Sequence, residues 1–467
     1  MDFFYDNEED EQLDSLVGRF DSMLQTGDHY FFDADEFEQV IDFYLMNSQF
    51  EKTKIAIQYA MQQHPSLAVF MLKKAQLLVS TNHINKALDV LSEVENLEPE
   101  NPEVFMTKAG IYSHLKRYEK AIEEYNKALK EAEDLEEVYT NIAFEYENLG
   151  NYTKAIEYLI KVLDINPENE AVVYELSFCF EISGKTSDSI RYFGDFLDKH
   201  PYSKAAWFNL GIAFNNNEDY DKAIDAYDFA IAIDDGFSSA YFNKANSFAN
   251  LGLYEKAIEH YKETFRFEDE EAMTHFYIGE CYEKLNKKNK ALESYRSALQ
   301  IDPLLSDCWI SIGLIYEEQG KVKLAVNHVK RAIDIEPINA EFWYLLGDLQ
   351  LDAGDIEAAH EAYLKVTELE PKNPDIWLDY AHSYAKDGQL EEALNLLEEG
   401  LDIQPDNVAL LYRLFIYLLR KGQHKAAYTY LEEALIADYE SHTEIFSYDK
   451  KLQDDPNLLR IIELFRV

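Results

Sequence analysis

The chain has 467 residues, 47% of them hydrophobic and 14% aromatic, which is ample for a core and, with 11 Pro and 17 Gly, excludes a low-complexity chain. A formal net charge of −46 repels phosphate backbones and anionic lipid, so no nucleic acid and no membrane surface is expected as a partner; the acid either lies spread over solvated helix faces, keeping an open molecule soluble, or meets a basic protein partner. The three cysteines, Cys179, Cys281 and Cys308, show no paired spacing, and no run approaches the ~18 apolar residues of a membrane span, which points to a reduced, cytoplasmic protein.

The first 33 residues read as an acidic tail plus a capping helix. Asp2, Asp6 and the run Glu8-Glu9-Asp10-Glu11 are expected to fray, and Leu13, Leu16, Val17, Phe20 and Leu24 form an apolar helical stripe. From residue 34 to residue 441 one register rules. Thr53, Ala87, Ala121, Ala155, Ser189, Ala223, Ala257, Ala291, Ala325, Ala359, Ala393 and Ala427 follow one another at intervals of 34 residues without an insertion. Twelve residues past most of them stands a proline, as at Pro167, Pro201 and Pro303, where a helix must stop. Five residues before them stands a glycine in most of the later units, as at Gly150, Gly184 and Gly252, supplying the positive φ that lets the chain reverse.

Each unit therefore holds two amphipathic helices. In 204–237 the stripe Trp207, Leu210, Gly211, Phe214 marks the first, and Ala223, Tyr227, Ala230 the second. Small residues at Gly211, Gly279, Gly313 and Gly347, set against the alanine column, are expected to let helix axes approach closely. Residues 442–467 open a last helix at Asp454-Asp455-Pro456, and Leu458, Leu459, Ile461, Ile462 and Phe465 are expected to dock on the final repeat or to meet a second copy.

Trp207, Leu210, Gly211, Phe214, Tyr220, Ala223, Tyr227 and Ala230 stand where the tetratricopeptide-repeat (TPR) consensus has its characteristic residues, and the chain resembles that family over 34–441. The resemblance implies an all-α solenoid, a right-handed superhelix of twelve helix-turn-helix units, and a non-catalytic scaffold that binds protein. An architectural subunit working through its convex face or its last helix is the alternative.

No enzyme chemistry can be nominated. Gly184-Lys185-Thr186 lacks the second glycine of a phosphate loop, since Cys179 stands in its place. His260 and His328 are two repeats apart and cannot share a metal, no HExxH or Cys/His cluster occurs, and no cofactor is expected. Co-chaperones of the family grip a carboxylate with a fifth-position lysine. This fifth-position column contains none, and the acidic second positions (Asp35, Glu103, Glu137, Asp307) would oppose such a clamp.

By family geometry the first helix of each repeat lines a concave face. Its fifth positions carry Tyr174, Phe208, Phe242 and Phe276 in four successive repeats, and ninth-position Phe144 and Phe178 extend the aromatic column. Sixth-position Asn141, Asn209 and Asn243, with ninth-position Asn246, form a ladder of amides able to donate to and accept from an extended peptide backbone. Asn141, Tyr174, Phe178, Phe208, Asn209, Phe242, Asn243, Asn246 and Phe276 are therefore the expected peptide-binding residues. Acid toward the ends of the array, at Glu38, Asp42, Asp348 and Asp352, would favour a basic partner.

Overall fold

The computed structural model describes residues 5–466, with side chains from Gln12 onward. Among them are 27 α-helices and no strand. A first helix, Tyr5–Thr26, is followed by twenty-four helices of 11 to 14 residues between Ala34 and Ala437, alternating in the order of the twelve 34-residue units. The acidic stretch expected to fray is helical from Tyr5, and Asp2 lies outside the described residues. The chain divides into two compact units, 1–247 and 248–467.

Local chemistry explains where helices start and stop. Asn101 and Asn373 cap helices that begin with proline, their side chains accepting from Glu103 N at 2.9 Å and Asp375 N at 3.1 Å. The turn between the two helices of a repeat uses one residue in the left-handed region. It is glycine at Gly150, Gly184 and five later repeats, but Ser48, Asn82, Lys116, Glu218 and Asn286 elsewhere, with φ between 55° and 61°. A side chain in that region costs ~1–2 kcal/mol, partly offset because glycine has more freedom to lose on folding. Glu218→Gly and Lys116→Gly should therefore each raise stability by ~0.5–1 kcal/mol, read as a higher urea midpoint at constant slope.

A second periodic device joins consecutive repeats. All four tryptophans sit at the fourth position of a repeat, and each indole N–H donates to the carbonyl of the proline six residues back. Trp207 bonds Pro201, Trp343 bonds Pro337 and Trp377 bonds Pro371 at 2.9 Å, and Trp309 bonds Pro303 at 3.0 Å. The polar end of each large apolar ring is thereby satisfied while its body packs.

The small positions work differently from the expectation at three of the four glycines. A Cβ on Gly211 would fall 2.5 Å from the ring of Tyr227, one on Gly347 would fall 2.6 Å from that of Tyr363, and Gly279 faces Tyr295 in the same way. The glycine thus makes room for a tyrosine laid flat on the first helix. At Gly313, where the facing residue is Val329, the nearest atom is 3.1 Å away and the Ala325 carbonyl 3.5 Å.

The two ends pack as follows. Val17 and Phe20 join a buried cluster with Phe32 and Phe37, with Leu13, Leu16 and Leu24 at its margin. At the other end Leu458 and Ile462 enter the core around Phe415 and Leu431, with Ile461 and Phe465 at the edge and Leu459 left exposed. Between them, residues 440–454 form short 3-10 and α-helical turns, with Ile445 buried.

Candidate functional site

In the first unit the face of interest is built by consecutive first helices. Leu135–Asn148 starts at Asp134, whose carboxylate accepts from Glu137 N at 2.9 Å, and Glu170–Ile182 starts at Asn169, which accepts from Val172 N at 3.2 Å. These caps fix the rotational phase of each helix. Spacings of four then put Tyr174, Phe178 and Ile182 on one exposed line, the last two about half accessible, and Phe144 is exposed on the helix before. Phe178 meets Tyr152 edge to face at 6.3 Å, and Tyr174 meets Phe208 in the same way at 6.2 Å.

The nine expected residues do not share one environment. Phe208 is buried against Tyr227 and Phe237, with ring centroids 5.8 and 4.9 Å apart. Asn209 is only 2% exposed and its amide donates to the Ala205 carbonyl at 2.8 Å. Both belong to the interior, Phe208 within the cluster of Ala223, Tyr227, Ala230 and Ala240. The half-buried Asn243 likewise donates to its own helix, at Ser239 O, 2.9 Å away. Asn209 is thus withdrawn from any outside segment, whereas at Asn243 one of two amide N–H groups is used within the helix. Asn141, Phe242 and Asn246 are half-buried, and Tyr174 and Phe178 are exposed. Phe276, in the second unit, is half-buried against Tyr295 at 5.6 Å.

Beside the exposed aromatics lies a group of three that periodicity alone did not single out. Glu147, Glu175 and Cys179 offer ligand atoms that all lie within 4.8 Å of one another. They occupy the twelfth position of one repeat and the sixth and tenth of the next, columns that meet only once successive first helices stack. The Cys179 thiol donates to Glu147 Oε1 at 3.5 Å. Partial burial, then the hydrogen bond and charge of Glu175, push the Glu147 carboxyl up to about 7. Burial, reinforced by both carboxylates, pushes the Cys179 thiol well above its ordinary range. Near neutrality the two carboxylates therefore hold a proton between them.

The first helices of the second unit present acid. Asp348 is pushed up by burial and by Asp379 and Asp352, relieved by the Tyr363 hydroxyl donating at 2.6 Å. Glu317 is raised by burial and by Asp352, Asp348 and Glu318. Tyr344 donates to Asp379 and Tyr295 to Glu283. At the opposite end of the chain Asp42 is already paired, with Lys73 at 2.6 Å, and Glu38 is raised by burial against the pull of the same lysine.

Other sequence candidates have local roles. Gly184 carries the left-handed turn, and Lys185 reaches Thr153 Oγ1 at 2.9 Å. His328 pairs with the Leu324 carbonyl at 2.8 Å and stands against Trp309 and Tyr316. No described helix is long and apolar enough to cross a membrane.

Comparison with known proteins agrees with the repeat geometry. Three tetratricopeptide-repeat models match at 102–135, 136–169, 205–237, 238–265 and 272–303, and in overlapping stretches from 316 to 446, well over half of the chain. The chain belongs to the tetratricopeptide-repeat family, a protein-interaction fold that is generally non-catalytic. No curated protein matches it. Among solved structures it is similar to the APC/C hetero-tetramer Cut9–Hcn1, at 16% identity over 89% of this chain and 95% of that one, with a TM-score of 0.37. It is also similar to YrrB, described as a TPR protein with an unusual peptide-binding site, at 18% identity over 39% and 93%, TM-score 0.33. The C-terminal part of a TPR protein from Cytophaga hutchinsonii matches at 18% identity over 54% and 98%, TM-score 0.44.

Proposed function

We propose that the protein is a cytoplasmic adaptor that holds an extended, basic protein segment against its first-helix faces. In this reading 34–441 is the working array, flanked by a capping segment at 1–33 and another at 442–467, and the molecule acts without cofactor or catalysis. The observation that carries it is the exposed aromatic line of Tyr174 and Phe178 beside the Glu147–Glu175 carboxylates. Exposed rings provide apolar area for a segment's side chains, and a lysine or arginine would displace the proton the carboxylates share. Of the expected residues in the first unit, Asn141, Phe242, Asn243 and Asn246 would border such a segment, and Phe208 and Asn209 support the face from within.

Selection from a displayed random-peptide library tests this. The wild type should enrich peptides with lysine or arginine next to an apolar residue. A Tyr174→Ala/Phe178→Ala/Glu175→Gln variant, shown folded by circular dichroism, should lose affinity for them by at least about tenfold, the ~1.4 kcal/mol expected from exposed aromatic contacts and a screened charge. Equal enrichment by both would sink the proposal. The architectural alternative has its own support: Tyr202, Leu304 and Ile338 occupy one column of inter-repeat turns and are 70–85% exposed. Loss of partner assembly on Tyr202→Ser/Leu304→Ser/Ile338→Ser, with peptide selection unchanged, would favour that reading.

A further inference from the structure

Cations are scarce in a chain of net charge −46, yet three basic groups gather on the first-helix faces of the last two repeats. His382 comes from the helix Pro374–Lys386, and Arg413 and Arg420 come from Val408–Arg420. The equivalent faces of the two preceding repeats carry Glu317, Glu318, Asp348 and Asp352. His382 is held below its ordinary range by desolvation and then by Arg413, with Lys386 and Arg420 adding to it against Asp379. The charges of this island are the Arg413 and Arg420 guanidiniums, and beside them His382 is biased toward its neutral form.

Onto it the chain lays two consecutive residues of its own. The Tyr448 ring lies under the Arg413 guanidinium, 3.5 Å from Cζ to the centroid, an arrangement in which ring face and cation attract. Its hydroxyl is hydrogen-bonded to His382 Nδ1 at 2.7 Å and to the buried Tyr417 hydroxyl at 2.6 Å. The next residue, Asp449, accepts from Arg420 Nη2 at 3.0 Å. Each feature of the dipeptide is read separately: ring by Arg413, hydroxyl by His382 and Tyr417, carboxylate by Arg420.

The segment is held by these polar and cation–ring contacts together with a small apolar contact, in which Ile445 enters the core and Phe446 and Leu452 pack at its edge. In the six-residue helix Thr443–Tyr448 the one buried side chain is Ile445, while Glu444, Ser447 and Lys450 are exposed and Tyr448 and Asp449 are half-buried. The following helix, Pro456–Leu464, is anchored on its own by Leu458, Ile462 and the Asp455 cap. Residues 443–452 thus form a short segment with one fully buried side chain, set between two separately anchored elements.

We propose that this face is a recognition site for a protein segment in which tyrosine is followed by an acidic residue, and that Tyr448–Asp449 occupies it as a displaceable internal ligand. The partner chemistry is opposite to that of the acidic faces before it, so one array carries two sites of opposite preference. A tethered ligand competes at an effective concentration on the order of millimolar, so an external segment binds well only when the internal one is removed or outcompeted.

The test uses a fluorescein-labelled peptide with the chain's own 444–452 sequence as probe, followed by anisotropy. It is titrated with the full-length wild type, with Tyr448→Ala/Asp449→Ala, and with that variant further changed by Arg413→Gln/Arg420→Gln. The vacated variant should bind at least about tenfold more tightly than wild type, and the arginine changes should abolish that gain. No gain on vacating the site, or a gain that survives loss of both arginines, overturns the proposal. If the vacated variant does not fold, hydrogen exchange on the wild type decides. Amides of 445–449 should exchange at least about tenfold faster than those in the middle of Val408–Arg420. Equal protection makes the segment an integral part of the core and likewise overturns it.

Discussion

Gly211→Leu should destabilise the first unit by ~3 kcal/mol or more. The Cβ alone would fall 2.5, 2.7 and 2.9 Å from three atoms of the Tyr227 ring. That ring cannot swing aside, because Tyr227 is fully buried among Phe208, Ala223, Ala230 and Ala240. Two terms oppose each other. Replacing a mid-helix glycine gains ~1 kcal/mol of helix propensity, while overpacking a closed core costs ~1–3 kcal/mol for a small intrusion and more for a large one. Gly211→Ala should therefore lose only ~1–2 kcal/mol. Tyr227→Leu, which leaves a cavity, should be destabilising alone and should remove most of the penalty of Gly211→Ala when the two are combined. A double-mutant cycle on urea midpoints measures that coupling. Additive losses would mean that the ring is not what requires the glycine. Gly347 with Tyr363 should repeat the result, and Gly313, which faces a valine, should tolerate alanine better.

The same pair shows how far a repeat pattern reaches. The 34-residue interval names the helices, their turns and the small positions, because each follows from a local requirement: proline ends a helix, glycine takes a positive φ, a small residue permits approach. It does not say what fills the space opposite a small residue, since Tyr227 is separated from Gly211 by a turn whose geometry decides which column is met. The Trp-to-proline bonds escaped for a similar reason: both columns are visible in the sequence, but the bond depends on the path of the turn between repeats. The candidate site divides along the same line. Tyr174 and Phe178 reach solvent because their helix presents them and nothing covers them. Phe208, in the column of Tyr174 one repeat on, is covered by Tyr227 and Phe237, and its neighbour Asn209 is interior with it. Column membership gives a direction out of the helix; exposure depends on what the neighbouring elements put there. Glu147, Glu175 and Cys179 come together only through stacking of two repeats, and Tyr448 reaches His382 only because the chain turns back after the last one.

The carboxylate pair makes the second large prediction, which concerns pH. Glu147 is raised from 4.5 to about 7, first by burial and then by Glu175. A carboxyl raised on folding contributes stability that is fully present below its unfolded pKa and lost as pH rises through the folded one. For this pair the loss falls between about pH 4.5 and 7 and is complete above that range. Taken at face value the shift would be worth ~3 kcal/mol; because the group is half open to solvent, screening reduces this to ~1 kcal/mol. Glu175→Gln removes the repelling charge while keeping the hydrogen-bonding shape. The difference in unfolding free energy between pH 5 and pH 8 should then narrow by part of that ~1 kcal/mol relative to wild type, since the burial of Glu147 remains. Binding should move the other way. A lysine or arginine must displace the shared proton, so a basic peptide selected by the wild type should bind up to ~10-fold more tightly at pH 8 than at pH 6. It should also release protons, measurable by calorimetry in buffers of different ionisation enthalpy. The Glu175→Gln variant should show weaker binding and a flatter profile. Affinity independent of pH in the wild type would place the basic side chain elsewhere and leave Glu147 and Glu175 as a strained pair with no part in recognition.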